Sequence, residues 1–485
     1  MQSLVSHVVA QPESQETLYK QVALRISELI EHGTLRPGER VPSVRRLSER
    51  EDVSIATVMQ AYRLLENRGL IEARPQSGYY VRARLWRPPA EPAKTEPSIR
   101  ATRVSTGDLV RRVMEAARDP SLVGLGAALP SPSLLPTQQL SRTMAAVGRR
   151  SPQMANAYDV SPGNQQLRVQ IARRAIETGC TLAPDDVVIT CGCQEALYLC
   201  LRAVAEPGDT IAIESPTYFG VLQIIESLGL KVCEIPTYPR EGVCLDELKE
   251  RLDCCRIKAC LFMLNFSNPL GSCMPDEKKA RLVKMLAARN VPLIEDDIYG
   301  ELSFAAGRPK VAKAYDRDGS TLLCSSFSKT LAPGYRVGWV VPGRFRDKVQ
   351  HLKYVTSIGT ATLPQLAVAD FLTNGGFDHH LRKLRRVYAE QVQRVTHAIT
   401  KYFPEGTKAT RPAGGYVLWV ELPSQIDSIE LFDGALEEKI GIAPGPIFSP
   451  KQGFRNFIRL NCGKQWSETI DKSLFKLGQL IARMS

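Results

Sequence analysis

The chain is poor in the residues that bind metals or cross-link small domains. It has 6 histidines among 485 residues, and its 12 cysteines all lie after residue 179, with no Cys-x-x-Cys spacing. This pattern predicts neither a metal site nor a disulfide framework. We expect most of the cysteines to be reduced and buried, and a redox role stays open for Cys191, Cys193 or the pair Cys254-Cys255.

Long apolar runs are missing as well. No run approaches the roughly 18 residues that a membrane span needs, and the first residues lack the basic start and apolar stretch of a signal peptide. We therefore expect a cytoplasmic protein without a membrane partner. A chain of 485 residues is too long for one core, so two or more folding units are expected. The formal net charge of +12 indicates an anionic partner without identifying it.

Residues 17–82 show the pattern of a winged helix-turn-helix. Apolar residues at intervals of three and four predict a first helix. A second helix is expected over residues 44–50, and a third begins after Ser54, its N-cap. Two short β-like segments separated by a turn follow in residues 70–81. The residues before this module, 1–16, are expected to form a flexible arm.

Positive charge in this module favours DNA as its partner. Residues 17–87 carry 13 Lys and Arg against 8 Asp and Glu, a net charge of +5. Such a surface attracts phosphates, while the exposed face of the third helix reads base edges. Short helices also suit a protein-docking module, so the fold alone leaves DNA binding open. The candidate DNA contacts are Arg45, Arg46, Ser54, Thr57, Gln60, Arg74, Gln76 and Gly78.

Three segments of this module resemble the DNA-binding signature of the GntR family. They are Val41-Pro-Ser-Val-Arg-Arg-Leu-Ser48, Gly69-Leu-Ile-Glu72 and Ser77-Gly-Tyr-Tyr-Val81. The resemblance implies that the partner is double-stranded DNA. One position departs from the family: an arginine often follows the serine or threonine that opens the recognition helix, and here that position is Ile55. One expected contact is therefore in doubt.

The segment 83–112 is rich in proline and charge, which predicts an extended linker. Beyond it, residues 113–485 alternate helical stretches with short apolar strands, as expected of a mostly parallel sheet covered on both faces. The strands are expected at residues 187–190, 210–213, 259–264 and 291–295. Because parallel strands end at one edge of a sheet, the residues that follow them should converge on one site.

Lys329 follows another apolar strand and has hydroxyl and guanidinium neighbours. Ser326, Ser328 and Arg336 suit a phosphate dianion, and a lysine amine can form a Schiff base with an aldehyde. On spacing alone, a surface lysine in a Ser-rich loop is equally compatible. Asp296 also ends a strand, where its carboxylate could keep a pyridine nitrogen protonated. The alternative is a charged β–α loop in which the neighbouring Asp297 faces solvent.

Ser326-Phe-Ser-Lys-Thr-Leu-Ala-Pro-Gly-Tyr-Arg-Val-Gly338 resembles the lysine signature of fold-type I aminotransferases. With the N-terminal module, the chain is similar over nearly all of residues 17–485 to the MocR group, in which a GntR-type module is fused to an aminotransferase-like domain. The resemblance implies an α/β main domain, a smaller α+β domain from about residue 361, a head-to-tail homodimer, and pyridoxal 5'-phosphate as the cofactor.

The same resemblance implies a role for each site residue. Around the phosphate it implies Gly192, Cys193, Ser326, Ser328 and Arg336. On the cofactor ring it implies Tyr218 at the face, Asn268 and Tyr299 at the ring oxygen, Asp296 at the ring nitrogen and Lys329 as the internal aldimine. For the substrate or effector it implies Arg459 as a carboxylate clamp and Tyr158 in a substrate-side loop.

Two functions remain open at this point. In the first, a DNA-binding transcriptional regulator holds pyridoxal phosphate on Lys329 and senses an amino acid or amine through external aldimine formation. In the second, a working aminotransferase carries an accessory DNA-binding module, and Lys329 also moves the Cα proton. A structural scaffold with an empty site is a third reading, which the presence of Lys329, Asp296 and Arg336 disfavours. The presence of a DNA-binding module on the same chain favours the transcriptional regulator.

Overall fold

The structure divides into two compact units, residues 1–87 and residues 88–485. It is a computed structural model that describes residues 17–31, 34–35, 38–67, 70–74, 77–81, 88–105, 107–374 and 376–485. The predicted flexible arm, residues 1–16, lies outside the described residues.

The first unit consists of three helices and an antiparallel hairpin. Its elements are α1 (Leu18–Glu31), α2 (Val44–Glu51), α3 (Ile55–Asn67), β1 (Ile71–Arg74) and β2 (Gly78–Val81). Ser54 caps α3, since its Oγ accepts a hydrogen bond from the Thr57 N–H at 3.1 Å. One face of α3 is fully buried, at the three- and four-residue spacing of a helix: it contains Val58, Ala61, Tyr62 and Leu65.

Tyr62 connects the recognition helix α3 to the rest of this unit. Its ring meets Tyr79 of β2 edge to face, with centroids 5.0 Å apart, and its hydroxyl donates to the Pro42 carbonyl at 2.6 Å. Gly78 begins β2 with φ at +103°, a conformation that only glycine adopts without strain. These features give the winged helix-turn-helix that the sequence predicted.

The second unit contains a nine-stranded sheet, a four-stranded sheet and the helices that cover them. The strands are β3 (Thr102–Arg103), β4 (Val123–Gly124), β5 (Val188–Cys191), β6 (Thr210–Ser215), β7 (Lys231–Tyr238), β8 (Gly242–Val243), β9 (Ile257–Phe262), β10 (Leu293–Asp296), β11 (Thr321–Ser326), β12 (Val337–Val341), β13 (Lys408–Ala409), β14 (Val417–Glu421), β15 (Ile440–Gly441), β16 (Ala443–Pro444) and β17 (Phe457–Asn461). The helices are α4 (Gly107–Ala116), α5 (Thr137–Arg150), α6 (Pro152–Asn156), α7 (Gln165–Ala175), α8 (Gly192–Val204), α9 (Phe219–Ser227), α10 (Leu245–Cys254), α11 (Asp276–Ala287), α12 (Arg346–Ser357), α13 (Thr362–Thr373), α14 (Gly376–Tyr402), α15 (Ser428–Glu437) and α16 (Glu468–Met484).

The large sheet is mostly parallel, as predicted. Its order is β3-β7-β6-β9-β10-β11-β12-β5, with β8 beside β7. Strands β7, β6, β9, β10 and β11 pair in parallel, whereas β12 runs antiparallel between β11 and β5. Alternate residues of β6 enter different cores, Ile211 and Ile213 on one side and Ala212 on the other, so both faces are covered. The segments after β5, β6, β9, β10 and β11 consequently meet at one edge.

Residues 88–105, here called the strap, lie on the second unit. Thr95 Oγ1 donates to the Ser215 carbonyl at 2.7 Å and accepts from the Thr237 N–H at 3.0 Å. Thr102 pairs with Val232, so β3 extends the large sheet. The prediction of an extended linker over residues 83–112 is therefore wrong from Pro88 onward, because backbone pairing and side-chain hydrogen bonds hold that stretch; residues 83–87 lie outside the described residues.

The smaller domain begins later in the chain than the predicted residue 361. Helix α13 packs against α5 and α7 beside the large sheet. Within α14, Phe377 and Leu381 join that large-domain core, whereas Leu384 and Tyr388 join the core of the four-stranded sheet. The boundary falls inside α14 because this 27-residue helix spans both cores. Among the helices that the structure describes, none is long and apolar enough to cross a membrane.

Candidate cofactor site

A cavity of about 160 Å³ lies at the edge where the parallel strands of the second unit end. The structure brings ten of the predicted site residues to its wall, most of them from segments that follow the strands of the large sheet. They are Cys193, Tyr218, Asn268, Asp296, Tyr299, Ser326, Ser328, Lys329, Arg336 and Arg459. The convergence that the alternating strand–helix pattern predicted is therefore present.

Lys329 reaches into this cavity from the turn after β11. Its Nζ donates a hydrogen bond to the Ala128 carbonyl at 2.8 Å and lies 5.8 Å from the centroid of the Tyr299 ring. Burial, followed by the nearby Arg459 charge, lowers the pKa of Lys329 to about 8. An amine with this pKa loses its proton close to neutral pH, as attack on an aldehyde requires.

Hydroxyl and guanidinium groups line one end of the cavity. Arg336 donates from Nη1 to Ser328 Oγ at 3.4 Å and from Nη2 to the Cys191 carbonyl at 3.1 Å. Gly192 opens α8 with φ at +75°, and a Cβ at this position would lie 2.4 Å from Arg336 Nη2. The free N–H groups of a helix start and a guanidinium fork suit a phosphate dianion.

Asp296 is the acidic residue of the cavity wall. Its side chain is 2 % exposed, and Oδ1 accepts hydrogen bonds from the Ile298 N–H at 3.1 Å and from Cys193 Sγ at 3.4 Å. Burial raises the pKa of Asp296 to about 6, against the opposing effect of these hydrogen bonds. A positively charged ring nitrogen beside it would favour the carboxylate form.

Asp297 does not face solvent, contrary to the alternative considered from the sequence. It is 5 % exposed, accepts from Asn265 Nδ2 at 2.8 Å and forms an ion pair with the buried Arg308. A buried carboxylate needs such a partner, and Arg308 carried no sequence signal for this role. The two adjacent acids thus differ, since Asp297 is neutralised within the protein and Asp296 lines the cavity.

Two buried polar atoms in the cavity lack partners among the described residues. They are the Tyr299 hydroxyl and Arg459 Nε. Arg459 also donates to Asn268 Oδ1 at 3.0 Å and to the Gly126 carbonyl. Unpaired buried groups of this kind cost about 1–3 kcal/mol each. The residues present fit pyridoxal phosphate together with an amino compound that carries a carboxylate. The cofactor would bring a ring oxygen to Tyr299, and the amino compound would bring its carboxylate to Arg459.

Part of the wall carried no motif in the sequence. Residues 127–129 cross the cavity, and the Ala128 carbonyl accepts hydrogen bonds from Lys329 Nζ and, at 3.3 Å, from the Tyr416 hydroxyl. Backbone carbonyls leave no residue-type signature. The glycine that precedes this segment, Gly126, is the residue type that its close packing requires, because a Cβ there would lie 2.5 Å from the Ile442 carbonyl oxygen.

Tyr158 is not brought to this cavity. Its side chain is 85 % exposed and borders a separate surface depression formed by residues 155–159 and 357–364. The predicted substrate-side role therefore has no support within a single chain, because the loop that carries Tyr158 lies at the surface.

The predicted DNA contacts lie on α2, on the start of α3 and in the wing. Arg45, Arg46, Ser54, Gln60 and Gly78 are exposed, and Thr57 is half-buried with its hydroxyl 2.8 Å from Ser54 Oγ. Arg74 is exposed but stacks on Tyr80, with its guanidinium carbon 4.4 Å from the ring centroid, and pairs with Glu72. Gln76 lies outside the described residues.

Replacing Gly192 tests the phosphate end of the cavity. We expect Gly192→Ala to weaken pyridoxal phosphate binding about tenfold or more, because a side chain at positive φ costs about 1–2 kcal/mol and its Cβ displaces Arg336. The dissociation constant from a fluorescence titration measures the effect. Gly334→Ala is the matched control, since a Cβ there meets nothing within 4 Å; equal loss in both variants would contradict this role of Gly192.

The Asp296 carboxyl predicts a pH dependence of ring binding. Its folded pKa of about 6 lies above the usual 3.8, so the apoprotein keeps a proton between about pH 4 and 6 that the unfolded chain loses. This group's contribution to stability therefore falls as pH rises through that window. A ligand with a protonated ring nitrogen binds the ionised form of Asp296, so binding below pH 6 must release the proton of this carboxyl. Pyridoxamine 5'-phosphate lacks the aldehyde and therefore reports on ring binding alone. Its affinity should fall up to about tenfold per pH unit below 6.

Calorimetric titrations of pyridoxamine 5'-phosphate between pH 5 and 8 measure this effect. In Asp296→Asn the affinity at neutral pH should drop, and the dependence below pH 6 should disappear. A pH profile that is unchanged in Asp296→Asn would assign the dependence to another group.

Two family models match the chain. The model of aminotransferase class I and II matches residues 126–474, and the model of bacterial regulatory proteins of the gntR family matches residues 18–81. A solved structure of LysN, the α-aminoadipate aminotransferase of Thermus thermophilus in complex with N-(5'-phosphopyridoxyl)-L-leucine, has a TM-score of 0.72 at 30 % identity, covering 79 % of this chain and 96 % of that one.

Relatives that span both units are regulators by name. The uncharacterized HTH-type transcriptional regulator YdcR of Escherichia coli is 42 % identical over 463 residues, 96 % of this chain and 98 % of that protein. The 2-aminoadipate transaminase of Thermus thermophilus is 31 % identical over 77 % of this chain and 93 % of its own length. The chain therefore belongs to the transcriptional regulators of MocR architecture, in which a gntR-family DNA-binding module precedes an aminotransferase class I/II domain whose cofactor is pyridoxal phosphate.

Proposed function

We propose that this regulator binds DNA through its first unit and responds to an amino acid that enters the pyridoxal phosphate site. The observation that carries the proposal is the single cavity that joins Lys329 and Asp296 to Arg459, whose Nε is buried and unpaired among the described residues. When bound, the cofactor supplies an aldehyde that condenses with amines. An effector amine would take the place of Lys329 on it.

Arg459 would fix the effector by its carboxylate. A guanidinium fork binds a carboxylate through two parallel hydrogen bonds. The Arg459 guanidinium donates to Asn268 Oδ1 and to the Gly126 carbonyl. Carboxylate binding would compete with the contact to Gly126, and amine binding would release the contact of Lys329 with Ala128. Both changes act on residues 126–129. This segment follows β4, and β4 pairs with β15.

The cavity wall favours an effector with an uncharged, apolar side chain. The cations among the described lining residues are Lys329, Arg336 and Arg459, and the cofactor and one carboxylate account for all three. The rest of the wall is largely apolar, where a second carboxylate would be costly. Its apolar members include Met114, Leu129, Leu197, Phe219 and Ile298. The leucine moiety held in the LysN structure is of the same chemical class.

We also propose that two copies of the chain form a homodimer around the Tyr158 surface. Residues 154–160 lie next to residues 354–359, as the bridge between Val160 and Gly359 shows. Large apolar side chains there are unusually exposed, which indicates an interaction surface. They are Met154 at 52 %, Tyr158 at 85 %, Tyr354 at 59 %, Val355 at 66 % and Ile358 at 44 %.

Aminotransferase activity is the second candidate function, and one observation favours it. The lowered pKa of Lys329, about 8, suits a group that both takes and returns a proton near neutral pH. A DNA-binding unit on the same chain favours regulation as the principal role, with turnover of the effector as a side reaction.

The visible absorption spectrum of the cofactor-loaded protein tests the proposed function. We expect a band that Lys329→Ala lacks, and a stable shift of that band by monocarboxylic apolar amino acids at lower concentrations than by aspartate or glutamate. The same amino acids should change the DNA affinity about fivefold or more, since coupling free energies are typically 1–3 kcal/mol.

The outcomes separate the candidates. A shift that persists and is accompanied by altered DNA binding supports the regulator. A band that decays after an amino acid is added, and that returns when a keto acid is added, supports the aminotransferase. A wild-type spectrum identical to that of Lys329→Ala would refute cofactor attachment at this lysine.

DNA binding by the first unit has its own test. With fragments that the wild-type protein selects from a random-sequence pool, Arg45→Ala should lose about tenfold in affinity, or about 1.4 kcal/mol, and about one unit of salt dependence. Lys20→Ala is the control, because Lys20 is an exposed cation on α1. Equal losses in both variants would show a general charge effect and contradict the predicted surface.

A further inference from the structure

All 12 cysteines are free thiols, and two pairs of sulfur atoms are in contact. Cys254 Sγ lies 3.4 Å from Cys255 Sγ, and Cys200 Sγ lies 3.5 Å from Cys324 Sγ. Cys200 and Cys324 are both buried, whereas Cys254 is exposed and Cys255 half-buried. The chain thus offers two thiol pairs of nearly equal spacing, of which solvent reaches only Cys254-Cys255.

The strap rests on the accessible pair. Cys255 Sγ is 3.9 Å from the Ile99 carbonyl oxygen, and Cys233 Sγ is 4.0 Å from the same atom. The buried Arg251 donates to the carbonyls of Ser98 and Pro97, at 3.1 and 3.3 Å. Ile99 itself is 59 % exposed, so its side chain adds little packing. A group bound to Cys255 would therefore press directly on residues 97–99 of the strap.

The geometry of the pair favours a bridging atom over a disulfide. A disulfide needs sulfur atoms about 2.05 Å apart, whereas these two lie 3.4 Å apart. An atom that binds each sulfur separately can occupy the space between them. No group of three His, Cys, Asp or Glu side chains in the described ranges could hold a metal ion. The nearby Cys233 thiol is buried, so a ligand that arrives from solvent meets Cys254 and Cys255.

We propose that Cys254 and Cys255 form a two-thiol binding site for monosubstituted trivalent arsenicals, and that its occupation displaces the strap at Ile99. For an arsenical oxide, the arsenic–oxygen double bond is replaced by two arsenic–sulfur bonds. Both thiol protons leave with the oxygen as one water, and no atom is oxidised or reduced. Cys254 binds first because it is exposed, whereas burial and the neighbouring thiols raise the pKa of Cys255 to about 11.

Intact mass spectrometry of the full cofactor-loaded chain with one equivalent of phenylarsine oxide tests the site. We expect one adduct, formed with loss of one water, that survives excess monothiol and is removed by a dithiol. Cys254→Ser and Cys255→Ser should each bind at least about a hundredfold more weakly, since each loses the second attachment. Cys200→Ser, which breaks the enclosed pair, should bind like the wild type. Tight binding by either Cys254→Ser or Cys255→Ser, or weakened binding by Cys200→Ser, would overturn the assignment.

Amide hydrogen exchange tests the consequence for the strap. Adduct formation should accelerate exchange in residues 97–105 of the wild-type protein and leave it unchanged in Cys255→Ser. An adduct confirmed by mass without faster exchange in that stretch would disprove displacement of the strap. Both measurements are independent of effector and DNA binding, so their failure would leave the proposed function untouched.

Discussion

Charge balance in one buried cavity is the constraint on which the second unit depends. Among the described residues that line it, Lys329, Arg336 and Arg459 share the wall with one carboxylate, that of Asp296. An excess of buried positive charge is costly unless anions or hydrogen bonds compensate it. The backbone carbonyls of residues 126 and 128 accept hydrogen bonds from Arg459 and Lys329 and compensate part of this charge. The phosphate of bound pyridoxal phosphate would supply negative charge here, and the carboxylate of the proposed effector would add more.

The sheet makes this balance attainable. The ends of β5, β6, β9, β10 and β11 lie at one edge, and each is followed by a residue of the site. The antiparallel β12 lies between β11 and β5, and its Gly338 allows close approach, because a Cβ there would lie 2.5 Å from the Gly192 carbonyl carbon. Parallel strands buried on both faces hold these ends rigidly, as a reactive lysine and its partners require.

The strap gives the linker a structural role. It occupies the same unit as the cavity, and Thr95 contacts Ser215, three residues before the cavity-lining Tyr218. Thr217 in the same loop donates to the Phe448 carbonyl of the smaller domain at 3.0 Å. One short loop therefore touches the strap, the cofactor cavity and the smaller domain.

Both folds and most of the cavity wall could be predicted from the order of residues, because helical and strand periodicity show which face of an element is buried. The cofactor class followed from the resemblance of the contiguous Lys329 segment to a known family. The fold was needed to reveal the partner of Asp297, the Ala128 carbonyl at Lys329, the surface position of Tyr158 and the packing of the strap. These features bring together residues that are far apart in the chain, often through backbone atoms. The amino-acid sequence gives neither the distance between such residues nor the direction in which a backbone carbonyl points.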